Sequence, residues 1–180
     1  MNESVIMSGF GGQGILLMGQ LLCYAGMYEG RRVTWMPSYG PEMRGGTANC
    51  TVMISSDRVG SPVTRFPHSL VAMNKASLDK FETAIQPEGF LVINSSLVDR
   101  DPVRTDLRSI KVPANQIAEE AGTLQVTNMA ALGAYVAGRG VVSLDAVIIA
   151  LRRMMPEHRK QLLAVNEEAL RRGAEAAKIQ

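Results

Sequence analysis

The most informative segment of the sequence is Val5-Ile6-Met7-Ser8-Gly9-Phe10-Gly11-Gly12-Gln13-Gly14. It begins as a short apolar run that glycine interrupts, and apolar or small residues then recur at three- and four-residue spacing over 15–26. This pattern predicts a strand, a glycine-rich turn and a helix. The glycines allow backbone N–H groups to close on a phosphate, and the helix N-terminus adds about half a positive charge. The turn is therefore a candidate anion site.

The same glycines fit the G-x-G-x-x-G spacing of dinucleotide-binding proteins. Such a site also needs an acidic residue some 20 positions on, at the end of the second strand. We predict that strand over 32–36, ended by Pro37, and neither Asp nor Glu stands there. NAD binding is therefore disfavoured. Three interpretations of the turn stay open: an anion contact, a contact with a partner protein, or a tight turn that only packs the helix on the sheet.

Apolar runs and helical patterns alternate further along the chain. Strands are predicted at 48–54, 69–73, 90–93 and 109–113. One helix is predicted over 78–85, before the strand at 90–93, and a short helix over 115–120, after the strand at 109–113. Alternation of this kind favours an α/β fold with a parallel-rich sheet. The last third is helical, with helices predicted over 128–139, after a capping Ser143, and from Pro156. No stretch has the composition of a linker, so we expect one domain.

The composition excludes several classes of protein. With 46% hydrophobic residues, the 180-residue chain is too apolar to be disordered. It contains no apolar run of about 18 residues, which a membrane-spanning helix needs. No secretory signal is visible at the N-terminus, so we expect a cytoplasmic protein. A net charge of +2 gives no support for nucleic-acid binding.

Catalytic and metal-binding sets are also missing from the sequence. Cys23 and Cys50 have no partners at metal-ligand spacing, whereas an iron-sulfur cluster or a structural zinc usually takes four ligands. We therefore expect no metal on this chain and interpret both cysteines as small buried hydrophobes. His68 and His158 stand alone, and no Ser/His/Asp or Cys/His arrangement is visible. No residue is predicted to be catalytic.

A second concentrated signal is the segment Ser38-Tyr39-Gly40-Pro41-Glu42-Met43-Arg44-Gly45-Gly46. It is too rich in glycine and proline for regular structure, and it presents Glu42 and Arg44 on backbone that another molecule can approach closely. Long irregular connections are uncommon in compact domains unless they are functional. We therefore expect a functional loop, with a merely solvated connection as the alternative.

Three motifs together resemble a known family. They are Gly9-Phe10-Gly11-Gly12-Gln13-Gly14 followed by Gly19 and Leu22, the loop just quoted, and Asn128-Met129-Ala130-Ala131-Leu132-Gly133. They resemble the γ subunit of the 2-oxoacid:ferredoxin oxidoreductases over almost the whole chain, and Gly-Pro-Glu-x-Arg-Gly-Gly is the most specific of them. The resemblance implies a single γ domain over 1–180. It also implies a three-layer α/β/α sandwich with a mostly parallel, Rossmann-like sheet and a helical C-terminal part.

The resemblance also implies a division of labour. In that family the α and β subunits bind thiamine diphosphate and convert a 2-oxoacid to its acyl-CoA. Iron-sulfur clusters lie on β or on a small δ subunit, and ferredoxin accepts the electrons. A γ chain is then an accessory subunit that binds no cofactor alone and lies near where coenzyme A arrives. Since surfaces made for other subunits stay exposed, we expect the isolated chain to form a homodimer.

The family match assigns a candidate binding site for coenzyme A or for a partner subunit. Its residues are Gly11, Gly12, Gln13, Gly14, Glu42, Arg44, Gly45, Gly46 and Asn128. The loop resembles the 2-oxoglutarate and branched-chain members more than the pyruvate members, which favours 2-oxoglutarate as substrate. Two alternatives remain: a ligand-free assembly module of the same complex, and a free-standing nucleotide-binding oxidoreductase, which the missing acidic residue disfavours.

Overall fold

A computed structural model describes residues 2–39 and 47–178. The elements in this part of the chain, in order, are β1 (Asn2–Phe10), α1 (Ile15–Tyr28), β2 (Arg32–Tyr39), β3 (Thr47–Ser55), β4 (Ser69–Ala72), α2 (Lys75–Phe81), β5 (Phe90–Asn94), β6 (Arg108–Val112), α3 (Ala114–Ala121), α4 (Thr127–Arg139), α5 (Leu144–Met154) and α6 (Leu163–Ala176). Short 3-10 helices occur at Glu82–Ala84, Leu124–Val126 and Glu157–Leu162.

The strands form one sheet in the order β2-β3-β1-β4-β5-β6. The pairs β1–β4, β4–β5 and β5–β6 are parallel, so the predicted mostly parallel α/β sheet is confirmed. β3 is antiparallel to both β1 and β2. Only residues 40–46 connect β2 to β3, fewer than the dozen or so that a parallel crossover needs, and this short connection explains the antiparallel pair.

The prediction that β2 ends at Pro37 is wrong. The strand continues through Pro37, which pairs with Cys50 of β3, and ends at Tyr39. Because β2 lies at the edge of the sheet, a residue without an N–H can sit there without breaking a ladder on both sides. The strand therefore carries the chain further toward the loop than the proline suggested.

The sheet has unequal layers on its two faces. Helices α1, α3, α4, α5 and α6 contribute buried residues to one large core, together with alternate residues of the strands such as Val5 and Met7. The opposite face carries a smaller core in which Ile6 of β1 and Leu70 of β4 meet Leu78 of α2. The three-layer α/β/α sandwich with a helical C-terminal part is confirmed, with a thin second helical layer.

Two helices of the large core cross with their backbones in contact. A Cβ atom built on Gly133 of α4 would overlap the carbonyl oxygen of Leu170, and one built on Gly173 of α6 would overlap that of Ala130. Only glycine fits at such a crossing. The contact fixes the position of α4, whose first turn lies beside the glycine-rich turn after β1.

The C-terminal helices differ in detail from their predicted starts. Ser143 caps α5 as predicted, accepting a hydrogen bond from the Ala146 N–H at 3.1 Å. Pro156, however, precedes a 3-10 helix, and α6 begins only at Leu163. None of the residues of Glu157–Leu162 is buried, so no packing against the core supports a regular α-helix there.

Cys23 and Cys50 are buried, as predicted, and neither forms a disulfide. Burial raises the pKa of each thiol to about 12, with the neighbouring Cys50 adding to the shift of Cys23. Both are therefore protonated and unreactive at neutral pH. In the part of the chain that the structure describes, none of the helices combines the length and the apolar composition needed to span a bilayer.

Candidate functional site

The candidate site lies at the carboxyl ends of the parallel strands. Strands β1, β4, β5 and β6 all end at this edge of the sheet, and β2 ends there too, because it runs parallel to β1 with β3 between them. In open α/β sheets this edge is where ligands bind. The insertion of β3 also puts the end of β2 two strand spacings, about 10 Å, from β1. In a dinucleotide-binding fold the residue that binds the ribose stands at the end of the second strand, next to the first strand. Here β3 separates the two strands, so no ribose-binding residue is expected at the end of β2.

The glycine-rich turn is closed by its own glutamine. Gln13 donates its N–H to the carbonyl of Phe10 at 3.2 Å, and its Oε1 accepts the Phe10 N–H at 2.7 Å. Gly12 and Gly14 have φ angles of 93° and 70°, in the left-handed region that favours glycine. Gly11 and Gly12 are exposed. The turn therefore presents backbone to the outside at these two glycines, beside the Phe10 side chain, which is 40% exposed.

Helix α1 starts at this turn without a side-chain cap. Gly14 occupies the N-cap position, and the first helical hydrogen bond runs from Met18 N–H to Gly14 O at 3.1 Å. The preceding N–H groups of Ile15, Leu16 and Leu17 have no hydrogen-bond partner within residues 2–39 and 47–178. By contrast, the side chains of Asn74, Asn94 and Ser143 accept first-turn N–H groups of α2, α3 and α5. Helices α4 and α6 also lack a side-chain cap, but each directly follows a 3-10 helix. The N-terminus of α1 is thus left as a set of unpaired donors.

Asn128 lies against the turn. Its Nδ2 donates to the carbonyl of Gly14 at 3.2 Å, and a Cβ atom on Gly14 would overlap this amide. Its Oδ1 accepts the Met129 N–H at 3.0 Å, so it satisfies one donor of its own helix. Asn128 is not a cap residue, because α4 begins at Thr127. It instead links the start of α4 to the start of α1, since Asn128 and Gly14 are 114 positions apart in the sequence.

Three further asparagines at this edge were missed by the sequence analysis. Asn74 Nδ2 donates to Gln13 Oε1 at 3.4 Å. Asn94, buried at the end of β5, donates to Asn115 Oδ1 at 2.9 Å and to Met73 O at 3.2 Å. The available signal was their position, since Asn74 and Asn94 each come directly after or at the end of an apolar strand. Together with Gln13 and Asn128, they make an edge of amide side chains.

A depression of about 190 Å³ opens beside the turn. Its lining residues are Gly12, Gln13, Asn115, Leu124, Gln125 and Thr127. No acid, base or thiol is among them, so the described part of this depression offers hydrogen-bond donors and acceptors rather than groups for acid–base or nucleophilic catalysis. The arrangement is suited to binding.

The predicted loop residues Glu42, Arg44, Gly45 and Gly46 lie outside the residues that the structure describes. The strands on either side of them are described. Thr47, the first residue of β3, pairs with Phe10, and Ala48 pairs with Tyr39. The chain therefore leaves and re-enters the sheet directly beside the glycine-rich turn.

Comparison with known proteins identifies relatives over most of the chain. Residues 4–176 match the family model described as pyruvate ferredoxin/flavodoxin oxidoreductase. Ketoisovalerate oxidoreductase subunit VorA from Methanothermobacter marburgensis is 45% identical over 141 residues, 78% of this chain but only 29% of that protein. 2-Oxoglutarate synthase subunit KorC from Methanocaldococcus jannaschii is 33% identical over 172 residues, which cover 93% of this chain and 92% of the relative.

Solved structures share the fold over the whole length. The γ subunit of a keto/oxoacid ferredoxin oxidoreductase from Geobacter sulfurreducens matches with a TM-score of 0.87 and 31% identity, covering 99% of this chain and 98% of that one. The 2-oxoglutarate:ferredoxin oxidoreductase from Magnetococcus marinus, determined with 2-oxoglutarate, coenzyme A and succinyl-CoA, matches with a TM-score of 0.89 and 24% identity. This match covers 99% of this chain and 31% of that one. The chain therefore belongs to the pyruvate ferredoxin/flavodoxin oxidoreductase family, as a γ subunit of the 2-oxoacid:ferredoxin oxidoreductases.

Proposed function

We propose that residues 1–180 form one γ domain that helps to seat coenzyme A in an assembled 2-oxoacid:ferredoxin oxidoreductase. The binding residues are those of the glycine-rich turn, Asn128 and the loop with Glu42, Arg44, Gly45 and Gly46. The thiamine diphosphate and the iron-sulfur clusters belong to the α, β and, where present, δ subunits. Ferredoxin accepts the electrons, and the complex works in the cytoplasm.

The observation that carries this proposal is the uncapped N-terminus of α1. Its unpaired N–H groups and the helix dipole favour a negatively charged group, and the exposed Gly11 and Gly12 allow that group to approach the backbone. Coenzyme A supplies phosphate groups of this kind. The Magnetococcus enzyme, which shares the fold, was determined with coenzyme A, and this makes coenzyme A the first ligand to test.

An accessory role is supported by the chemistry of the sheet edge at the carboxyl ends of the parallel strands. Its side chains are neutral amides, and they hydrogen-bond to backbone or to one another. They can orient a ligand without moving a proton in the reaction. The decarboxylation and the electron transfer are therefore assigned to the partner subunits.

The substrate that we favour is 2-oxoglutarate, which fits the KorC relative matched over nearly its whole length. A branched-chain 2-oxoacid is the second candidate, because the VorA relative is 45% identical over the region that it shares. Assaying the purified complex with 2-oxoglutarate and with 2-oxoisovalerate separates them. A higher kcat/KM for 2-oxoisovalerate would overturn the assignment to 2-oxoglutarate.

Arg44→Ala is expected to raise the apparent KM for coenzyme A by about 10- to 100-fold in the complete complex. A guanidinium can grip a phosphate through two hydrogen bonds, and losing such a charge-assisted contact costs about 1.5–3 kcal/mol. The KM for the 2-oxoacid should change little. The measurement is steady-state ferredoxin reduction at varied coenzyme A, with Arg58→Ala, on a different exposed segment, as the matched control.

The outcomes for Arg44→Ala distinguish the two roles of the loop. If the variant no longer co-purifies with the other subunits, Arg44 anchors an interface, and the ligand-free assembly module replaces the coenzyme A proposal. Unchanged kinetics together with unchanged assembly would make Arg44 a solvated residue and would contradict both.

Asn128→Ala is expected to weaken coenzyme A binding through the shape of the turn. Removing the amide deletes its hydrogen bonds to Gly14 O and Met129 N, which should lower the free energy of unfolding by about 1–2 kcal/mol. The readout is the KM for coenzyme A, measured beside the melting temperature. A lower melting temperature with an unchanged KM would show that Asn128 only stabilises the fold.

The homodimer proposed for the isolated chain is tested by sedimentation. We expect a concentration-dependent dimer in the absence of the other subunits. A monomer at every accessible concentration would contradict it.

A further inference from the structure

Helix α1 has an outer face that is exposed and apolar. None of its 14 residues, ILLMGQLLCYAGMY, carries a charge. Leu17, Tyr24, Met27 and Tyr28 are nevertheless exposed, Met27 by 55% and Tyr24 by 41%. At 100° per residue these four positions fall on one stripe of the helix, which runs from the turn to the helix end.

The contrast with α4 shows why this face is unusual. Helix α4 carries only a terminal Arg139, and its lack of other charges is explained by burial, since all its residues from Thr127 to Val136 are buried. Helices α5 and α6, which have exposed faces, place arginine and acidic residues on them. Helix α1 has the composition of a buried helix and the position of a surface helix.

The stripe continues onto the neighbouring helix. Arg153 of α5 lies over the Tyr28 ring, 4.7 Å from its centroid. Ile149, one helical turn before Arg153 on the same side of α5, is 42% exposed. We call Leu17, Tyr24, Met27, Tyr28 and Ile149 the α1 face. One end of this face adjoins the glycine-rich turn, and the other end is bordered by Arg153 and by Glu29, the exposed residue that follows the helix.

The lengths of the relatives indicate what covers this face. In VorA the corresponding domain makes up 29% of the chain, and in the Magnetococcus enzyme it makes up 31%. In those proteins the domain is thus covalently joined to a polypeptide more than twice its size. Where the domain is a separate chain, as here, a surface packed against that polypeptide becomes a subunit interface, and permanent interfaces are apolar at their centre.

We propose that the α1 face is the docking surface for the larger subunit that corresponds to the rest of those fused chains. The inference rests on the proposed function, because it assumes that the chain works within the complex. The partner surface is apolar and uncharged at its centre and acidic where it meets Arg153. A second copy of this chain fits less well, because it would present another Arg153 rather than an acidic group at that position. A subunit docked here also reaches Leu17, and so it closes one side of the site at Gly11 and Gly12.

The test is assembly of the complex with a charged α1 face. Tyr24→Asp/Met27→Asp places two carboxylates where the partner is apolar, and we expect the affinity for the other subunits to fall at least about 100-fold. Both positions are exposed, so the isolated variant should keep its melting temperature. Val103→Asp, at a position that is 80% exposed on a loop, is the matched control and should assemble normally.

Ile149→Asp gives an independent variant on α5 if the double variant folds poorly, and we expect a smaller loss of affinity from it. Normal assembly of both variants overturns the proposal. It is also overturned if the variants assemble normally while the isolated chain changes from dimer to monomer, because the face would then join two copies of this chain. Failure of the wild-type chain to assemble at all would instead contradict the proposed function.

Discussion

Gly133→Ala is expected to lower the free energy of unfolding by about 3 kcal/mol. The added Cβ atom would overlap the carbonyl oxygen of Leu170, and a backbone atom cannot turn aside as a flexible side chain can. The variant can fold only if α4 and α6 move apart, which opens the packing around both, and overpacking of a core commonly costs 1–3 kcal/mol and sometimes more. Urea unfolding at equilibrium measures the effect.

Gly60→Ala is the control for that experiment. No atom lies within 4 Å of a Cβ atom at Gly60, and its backbone is not in the left-handed region. Its unfolding free energy should stay within about 0.5 kcal/mol of the wild type. A Gly133 variant as stable as this control would show that the two helices are not held at contact distance.

Arg139→Met is the second variant with a large expected effect, a loss of about 3–5 kcal/mol in the free energy of unfolding. Arg139 donates two hydrogen bonds to Glu3 Oε2, at 3.0 Å from Nε and 2.8 Å from Nη2. Glu3 is only 3% exposed, and its Oε1 accepts hydrogen bonds from Tyr135 OH at 3.2 Å and from Ser69 Oγ. Without the arginine, a carboxylate stays buried without its counter-charge, which is strongly destabilising.

The double variant Glu3→Gln/Arg139→Met separates the charge from the packing. It removes both charges and should recover more than half of the loss, because no buried carboxylate remains. Thermal or urea unfolding of the four proteins completes the double-mutant cycle. Equal stability of the single and double variants would contradict the network, since Arg139 would then act only through its side-chain volume.

Much of the fold could be predicted because its signals are local. The apolar run before Gly9 and the periodic residues after Gly14 define β1 and α1, and the structure has both. The continuous apolar run at 90–93, for example, lies in the strand Phe90–Asn94, which is buried throughout. In each case neighbouring residues alone carry the pattern.

The errors in the fold arise where sheet position overrides local preference. Proline usually ends a strand because it has no N–H to donate. Pro37 is tolerated because β2 is an edge strand. The place of β3 between β1 and β2 depends on which strands pair across the sheet, and no periodicity records that. The length of the 40–46 connection was the available signal.

Part of the candidate site could be predicted because its signals, like those of the first strand and helix, are local. Glycine spacing identified the turn, and the family resemblance added Asn128, whose contact with Gly14 spans 114 positions. Asn74 and Asn115 have no motif, and they approach Gln13 and Asn94 only because the strand ends converge at one edge. The roles of Glu42, Arg44, Gly45 and Gly46 stay predictions.

Hydrogen–deuterium exchange of the assembled complex tests the proposal that coenzyme A contacts the backbone at the start of α1. Because the N–H groups of Ile15, Leu16 and Leu17 have no partner in the described chain, they should exchange quickly without ligand. We predict that saturating coenzyme A slows exchange in peptides covering 10–17, and leaves those covering 135–139, at the opposite end of the sheet, unchanged. Unchanged exchange over 10–17 at saturating coenzyme A would show that coenzyme A does not bind this backbone.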